Sequence, residues 1–263
     1  MASSDKLIAL DFDGVIADSI EETFFVAYTA FRQLHSRAFW DIDLTYEDFD
    51  TQKSVLAPLL KEFRRLRPFL RVGEDYMLFL KIIHNGWMVR TQQDFDEIKK
   101  HNTHEMPAYQ SAFYSTRKRC QNSAPNDWLK LAPAFGIILE GARKLADIYP
   151  VIIATTRDEL STRQLIDTYE FNVEKIISKE YNRCKREQLT YAAETFRVPL
   201  QNILFVDDQV DSLLITADAG VKSFLATWGY NNDDQRSRAS KNGVDLLSAH
   251  DFYLTLYALM VAE

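Results

Sequence analysis

The amino-acid sequence predicts an α/β protein: a doubly wound parallel sheet interrupted by a long, mostly α-helical insertion. Three observations predict it. Short apolar runs recur and end in acidic or hydroxyl residues: 7–10 before Asp11 and Asp13, 151–154 before Thr155 and Thr156, 203–206 before Asp207 and Asp208. Runs of this length between polar turns suit strands buried on both faces. Helical patterns lie between several of them, and that alternation implies a doubly wound layer. Over residues 16–131 the pattern changes: strand alternation disappears, and the segment is helix-rich, aromatic and charged. A stretch of that length cannot be a loop inside a compact domain, so it reads as a second domain.

Bulk properties narrow the function classes. With 263 residues, 46% of them hydrophobic, the chain has enough material for real cores, and disorder is not expected. The net charge of −7 argues against nucleic-acid backbones as partners. It does not exclude a phosphorylated substrate, because a bound cation can reverse the local field. Cys120 and Cys184 are too few for a disulfide framework and lack metal-ligand spacing. No stretch is apolar for long enough to cross a bilayer, and positions 1–4 carry no signal-peptide pattern. A cytoplasmic protein without membrane contact is expected.

The elements follow in order. The run at 7–10 forms the first strand. Ser19 and Glu22 have capping-box spacing, and Phe24, Ala27, Tyr28 and Phe31 then share one helical face. Helices are expected over 74–83 and 108–119, with Pro58, Pro68, Pro107 and Pro125 at boundaries. The apolar run 76–83 reads as core of this insertion. Strands follow at 151–154, 203–206 and 223–227, with a weaker one at 175–178. Leu189, Ala192, Ala193 and Phe196 mark a helix face, Gly220 ends the helix after Asp211, and 248–261 forms a terminal helix. The polar candidates all fall at the carboxyl ends of strands, where open α/β sheets bind ligands.

The strongest local signal is Asp11-Phe12-Asp13-Gly14 directly after a strand. Two carboxylates one residue apart project to the same side of an extended chain. Unpartnered, they repel, so one titrates high or a cation sits between them. A hard divalent ion answers that need, and Gly14 lets the chain turn sharply. An isolated pair would equally suit a solvated strand end, but the later strands add more polar groups at the same edge.

Residues 7–19, LIALDFDGVIADS, resemble the first motif of the haloacid dehalogenase superfamily. The resemblance covers roughly 5–35 and 132–250. It implies that Asp11 is the nucleophile, forming an aspartyl-phosphate, and that Asp13 is the general acid and then the base. The Asp11 side chain and the Asp13 backbone carbonyl would also contact a metal ion. In the second motif Thr155, or its neighbour Thr156, binds the phosphoryl oxygens. In the third a lysine stabilises the charge: Lys185, which begins an amphipathic stretch, or Lys179. In the fourth, Asp207 is the first metal ligand. Asp208 and Asp211 are further candidates, either on the ion or positioning its waters. Residues 133–145 resemble the return from cap to core, and 226–230, ATWGY, the last core strand of phosphoglycolate-phosphatase-like members.

The resemblance implies a Mg2+-dependent phosphatase acting on a small phosphorylated metabolite, with a catalytic core at 1–15 and 132–263 and a helical cap at 16–131. Two aspartates in the first motif fit phosphoesterases and phosphomutases, whereas haloacid-cleaving members lack the second. A sugar phosphomutase is the alternative within the family; a non-catalytic binding protein on the same fold is the alternative outside enzymology. Arg64, Arg65, Arg67, His84, Arg90 and Arg117 are read as structural or solvated.

Overall fold

The computed structural model describes residues 5–35 and 42–262; the first four positions considered above lie outside them. The chain divides into two compact units, Met1–Asp18 with Pro133–Glu263, and Ser19–Ala132.

The first unit is built on six parallel strands: β1 (Leu7–Leu10), β2 (Val151–Ala154), β3 (Lys175–Ile177), β4 (Ile203–Asp207), β5 (Lys222–Ala226) and β6 (Asp245–Leu247). Their order is β3-β2-β1-β4-β5-β6. In β1, β2 and β4 every residue is buried, which is why these strands read as unbroken apolar runs. Leu7, Ala9, Ile152, Ala154, Ile203 and Phe205 share one core with Leu189, Ala192, Leu213 and Ala239 of three helices. Residues of the other parity, Ile8, Leu10, Ile153 and Val206, are buried as well, so both faces of the sheet are covered. The helices Gly136–Ala146 and Phe252–Val261 meet at Gly141, where a Cβ would stand 3.1 Å from the Phe252 ring.

Strand order reverses about β1, which pairs with β2 on one side and β4 on the other. That reversal makes a crevice at the carboxyl ends of the central strands, and chemistry in open α/β sheets concentrates there. The expected strand at 223–227 is observed one residue earlier. The helix Val210–Asp218 closes as expected: the Gly220 N–H bonds the Ala217 carbonyl and the Val221 N–H the Thr216 carbonyl, a Schellman ending.

The insertion leaves and re-enters this unit at one place. Ile16, Ala17 and Asp18 run beside Pro133, Ala134 and Phe135, joined by Asp18 N–H to the Pro133 carbonyl (2.9 Å) and Phe135 N–H to the Ile16 carbonyl (2.9 Å).

The second unit is helical, with its longer helices at Ile20–Leu34, Ala57–Leu66, Asp75–His84, Gln92–His101 and Met106–Ser123. Pro58, Pro107 and Pro125 each stand in a first helical turn, where a missing N–H costs nothing. Its core is aromatic: Phe63 lies 5.3 Å from Phe24, 5.5 Å from Tyr76 and 5.6 Å from Phe79 between ring centres. The expected capping box is absent. Ser19 makes no side-chain cap bond. Glu22 instead accepts from Arg117 Nε and Nη2 (2.9 Å each) and Trp128 Nε1 (3.0 Å). A buried guanidinium is a stronger partner for a carboxylate than a cap N–H. Among the described residues no helix is long and apolar enough to cross a membrane.

Candidate active site

Asp11 follows β1 immediately, and its N–H bonds the Val206 carbonyl (2.8 Å), so the sheet ladder fixes the residue that ends it. Asp207 closes β4, and Thr155 follows β2 with its N–H on the Ile177 carbonyl (2.9 Å). Three neighbouring strands thus deliver three polar residues to one edge.

Lys185, first residue of the helix Lys185–Phe196, completes the group. Its Nζ donates to Asp11 Oδ1 (2.7 Å) and the Ala154 carbonyl (2.5 Å), and lies 3.2 Å from Asp207 Oδ2. Burial alone would lower its pKa, but the Asp11 and Asp207 charges outweigh that and raise it. Gln188, one turn on, anchors the helix by donating to the carbonyls of Thr155 (2.8 Å) and Asn182 (2.7 Å).

Asp208 is wholly buried, and its Oδ2 accepts from the Tyr230 N–H (2.8 Å). Room for it exists because two glycines flank it. A Cβ on Gly14, whose φ is +86°, would lie 2.1 Å from Asp208 Oδ2, and one on Gly229 would lie 2.4 Å from the Asp208 Cβ. The glycine after Asp13 therefore serves a close approach as well as a turn.

Asp11, Asp207 and Asp208 each offer an oxygen within 4.8 Å of the others, an arrangement able to hold a metal ion. Burial pushes the Asp11 carboxyl up to about 7; Lys185 opposes that rise and the Asp207 charge adds to it. Three clustered buried acids, with one ammonium on two of them, leave carboxylate in surplus, the condition that a divalent cation relieves.

The remaining predicted residues separate. Thr155 is buried and its Oγ1 accepts from the Arg157 N–H (3.1 Å), whereas Thr156 is partly exposed. Lys179 stands in the loop after β3; the ammonium touching Asp11 is that of Lys185. Asp211 lies outside the three-acid group, because the chain winds into a helix after Gln209 and turns it toward Arg238, whose Nη2 donates to it. Asp13 accepts at Oδ1 from Arg157 Nη1 (2.9 Å).

Arg157 was not singled out by sequence reasoning. Its side chain is fully buried, with Nε on Ser161 Oγ (2.8 Å) and the guanidinium 5.8 Å from the Phe12 ring centre. The available signal was its position: a large cation directly after a buried strand and two threonines.

No protein-family model matches the sequence, and no curated protein matches it. Solved structures do. A haloacid dehalogenase-like family hydrolase from Streptococcus pneumoniae is 14% identical, with 98% of this chain and 100% of that one covered, at a TM-score of 0.65. A predicted phosphoglycolate phosphatase from Haemophilus somnus is 13% identical over 98% and 100% of the two chains, at 0.60. A family hydrolase from Deinococcus radiodurans, solved with bound phosphate and sodium, is 14% identical over 98% and 97%, at 0.57. The chain has the haloacid dehalogenase-like hydrolase fold, with a helical insertion between β1 and β2.

Proposed function

We propose that the protein is a magnesium-dependent phosphatase that hydrolyses a small phosphomonoester through an aspartyl-phosphate on Asp11. The observation that carries this reading is the surplus of buried carboxylate around one lysine at the end of the central strand. Magnesium fits that donor set, all hard oxygens; Asp11, Asp207, Asp208 and the Asp13 backbone carbonyl would hold it, and Asp211, committed to Arg238, is left out. When bound, the ion would supply fixed positive charge against the phosphoryl oxygens.

The chain's own residues do the rest. An Asp11 oxygen attacks phosphorus, forming an O–P bond as the bond to the leaving oxygen breaks. Asp13 gives its proton to that leaving oxygen, then takes one from the water that attacks phosphorus and frees Asp11. Lys185 holds Asp11 in place and offsets charge on the phosphoryl group. Thr155 accepts from a backbone N–H, so its hydroxyl hydrogen remains a donor for a phosphoryl oxygen. We assign the insertion as a cap, whose size favours a small substrate.

The test is phosphate release from a panel of small phosphate esters with magnesium and with chelator. Metal-dependent release lost in Asp11→Asn supports the reading. Turnover that survives Asp11→Asn overturns it, and isomerisation without net release would point to the mutase.

A further inference from the structure

Arg157 sits beside the proposed acid and is held more firmly than a surface arginine could be. Its Nη1 donates to Asp13 Oδ1, and its Nε donates to Ser161 Oγ. That hydroxyl donates in turn to Asp158 Oδ2 (2.8 Å), while Asp158 Oδ1 caps the helix Glu159–Thr168 through the Ser161 N–H (2.9 Å). The Arg157 N–H is fixed on Thr155 Oγ1. A chain of hydrogen bonds thus runs from a helix terminus through a planar, buried fork to one oxygen of Asp13. The Asp13 side chain is still 17% exposed, whereas that of Arg157 is not exposed at all. Two nitrogens of the guanidinium are thus engaged by protein groups, Nη1 by the acid and Nε by Ser161.

From this geometry we infer that Arg157 is a positioning residue, which orients Asp13 for proton transfer to the leaving group and does not itself bind phosphate. The inference rests on the hydrolase reading above. A carboxyl group on a short side chain has several rotamers, and proton transfer needs one of them. Two bonds from different nitrogens of one planar guanidinium, Nη1 to Asp13 and Nε to Ser161, fix the plane from which Asp13 is held. The step served is acid catalysis: the proton on Asp13 passes to the leaving oxygen as its bond to phosphorus breaks and the O–P bond to Asp11 forms.

An acid matters in proportion to how badly the leaving group needs its proton. The experiment therefore compares kcat/KM for an alkyl phosphate, a poor leaving group, with p-nitrophenyl phosphate, a good one, in the magnesium-loaded full chain. Wild type, Arg157→Ala, Arg157→Lys and Ser161→Ala are measured, each after its thermal unfolding midpoint has been recorded. Arg157→Ala is expected to lose about a hundred-fold on the alkyl ester and only a few-fold on the aryl ester. Arg157→Lys keeps the charge but cannot span both partners, and should recover part of the loss. Ser161→Ala loosens the guanidinium from behind and should show the same selectivity at several-fold size. It decides the matter if Arg157→Ala fails to fold. Equal losses on both esters, or a greater loss on the aryl ester, overturn the inference while leaving the hydrolase reading intact. Wild-type silence on both esters sinks the hydrolase reading and this inference together.

Discussion

Both units bury charge, and they do it differently. In the helical unit the two wholly buried acids are matched. Glu22 meets Arg117 and Asp75 meets Lys99 (2.7 Å), while the partly exposed Glu105 meets Lys81 (2.5 Å) and the Tyr109 hydroxyl (2.5 Å). In the α/β unit Asp11, Asp207 and Asp208 gather together, and Lys185 meets the first two. Matched pairs are close to neutral in stability against an apolar replacement. A surplus of one sign is unfavourable for folding, so its presence in a crevice points to chemistry. The difference separates charges that hold a fold together from charges that wait for a partner.

The largest effect expected is on the surplus. Asp11→Asn should lower kcat/KM by about a thousand-fold or more, while the metal-free unfolding midpoint holds or rises because one buried charge is gone. A drop in stability like that of a broken pair would erase the contrast. Breaking a matched pair should do the opposite. Arg117→Met leaves Glu22 buried without its counter-charge and should cost about 3–5 kcal/mol in denaturant unfolding, and Glu22→Leu in the same chain should recover most of it.

Asp75 sharpens the comparison, because even a matched acid can resist ionisation. Burial pushes its carboxyl from 3.8 up to about 6 despite Lys99. Between those values the folded chain keeps a proton that the unfolded chain has released, so stability falls as pH rises. The stability of wild type minus that of Asp75→Asn should therefore decline by up to about 3 kcal/mol from pH 4 to pH 7. A flat or rising difference contradicts it. The smallest effect is that of the ion on folding. Magnesium at a hundred times its dissociation constant should stabilise wild type by about 2.7 kcal/mol, and should do much less for Asp207→Asn.

The sheet was legible because strands buried on both faces leave apolar runs, and because Asp11, Thr155 and Asp207 stand where those runs stop. β6 was not, since two of its three residues are exposed and an edge strand leaves no such run. Local spacing misled at two acids. Glu22 stands where a capping partner should, and Asp211 stands four residues after Asp207, where a ligand would. Each is taken by an arginine far along the chain, Arg117 or Arg238, and no periodicity reports that. Arg157 escaped for the same reason: its partner Asp13 is 144 residues away. Lys185 and Lys179 could be told apart only when a helix start was seen to place one ammonium on Asp11.

The central claim is that Asp11 itself carries the phosphoryl group, and trapping the intermediate tests it most directly. Magnesium-loaded protein would be quenched during turnover of a phosphate ester, reduced with borohydride, digested and mapped by mass spectrometry. The account predicts reduction of the side chain at position 11, dependent on substrate. Reduction at Asp13 or Asp207 instead, or steady phosphate release with no reduced aspartate, would contradict it.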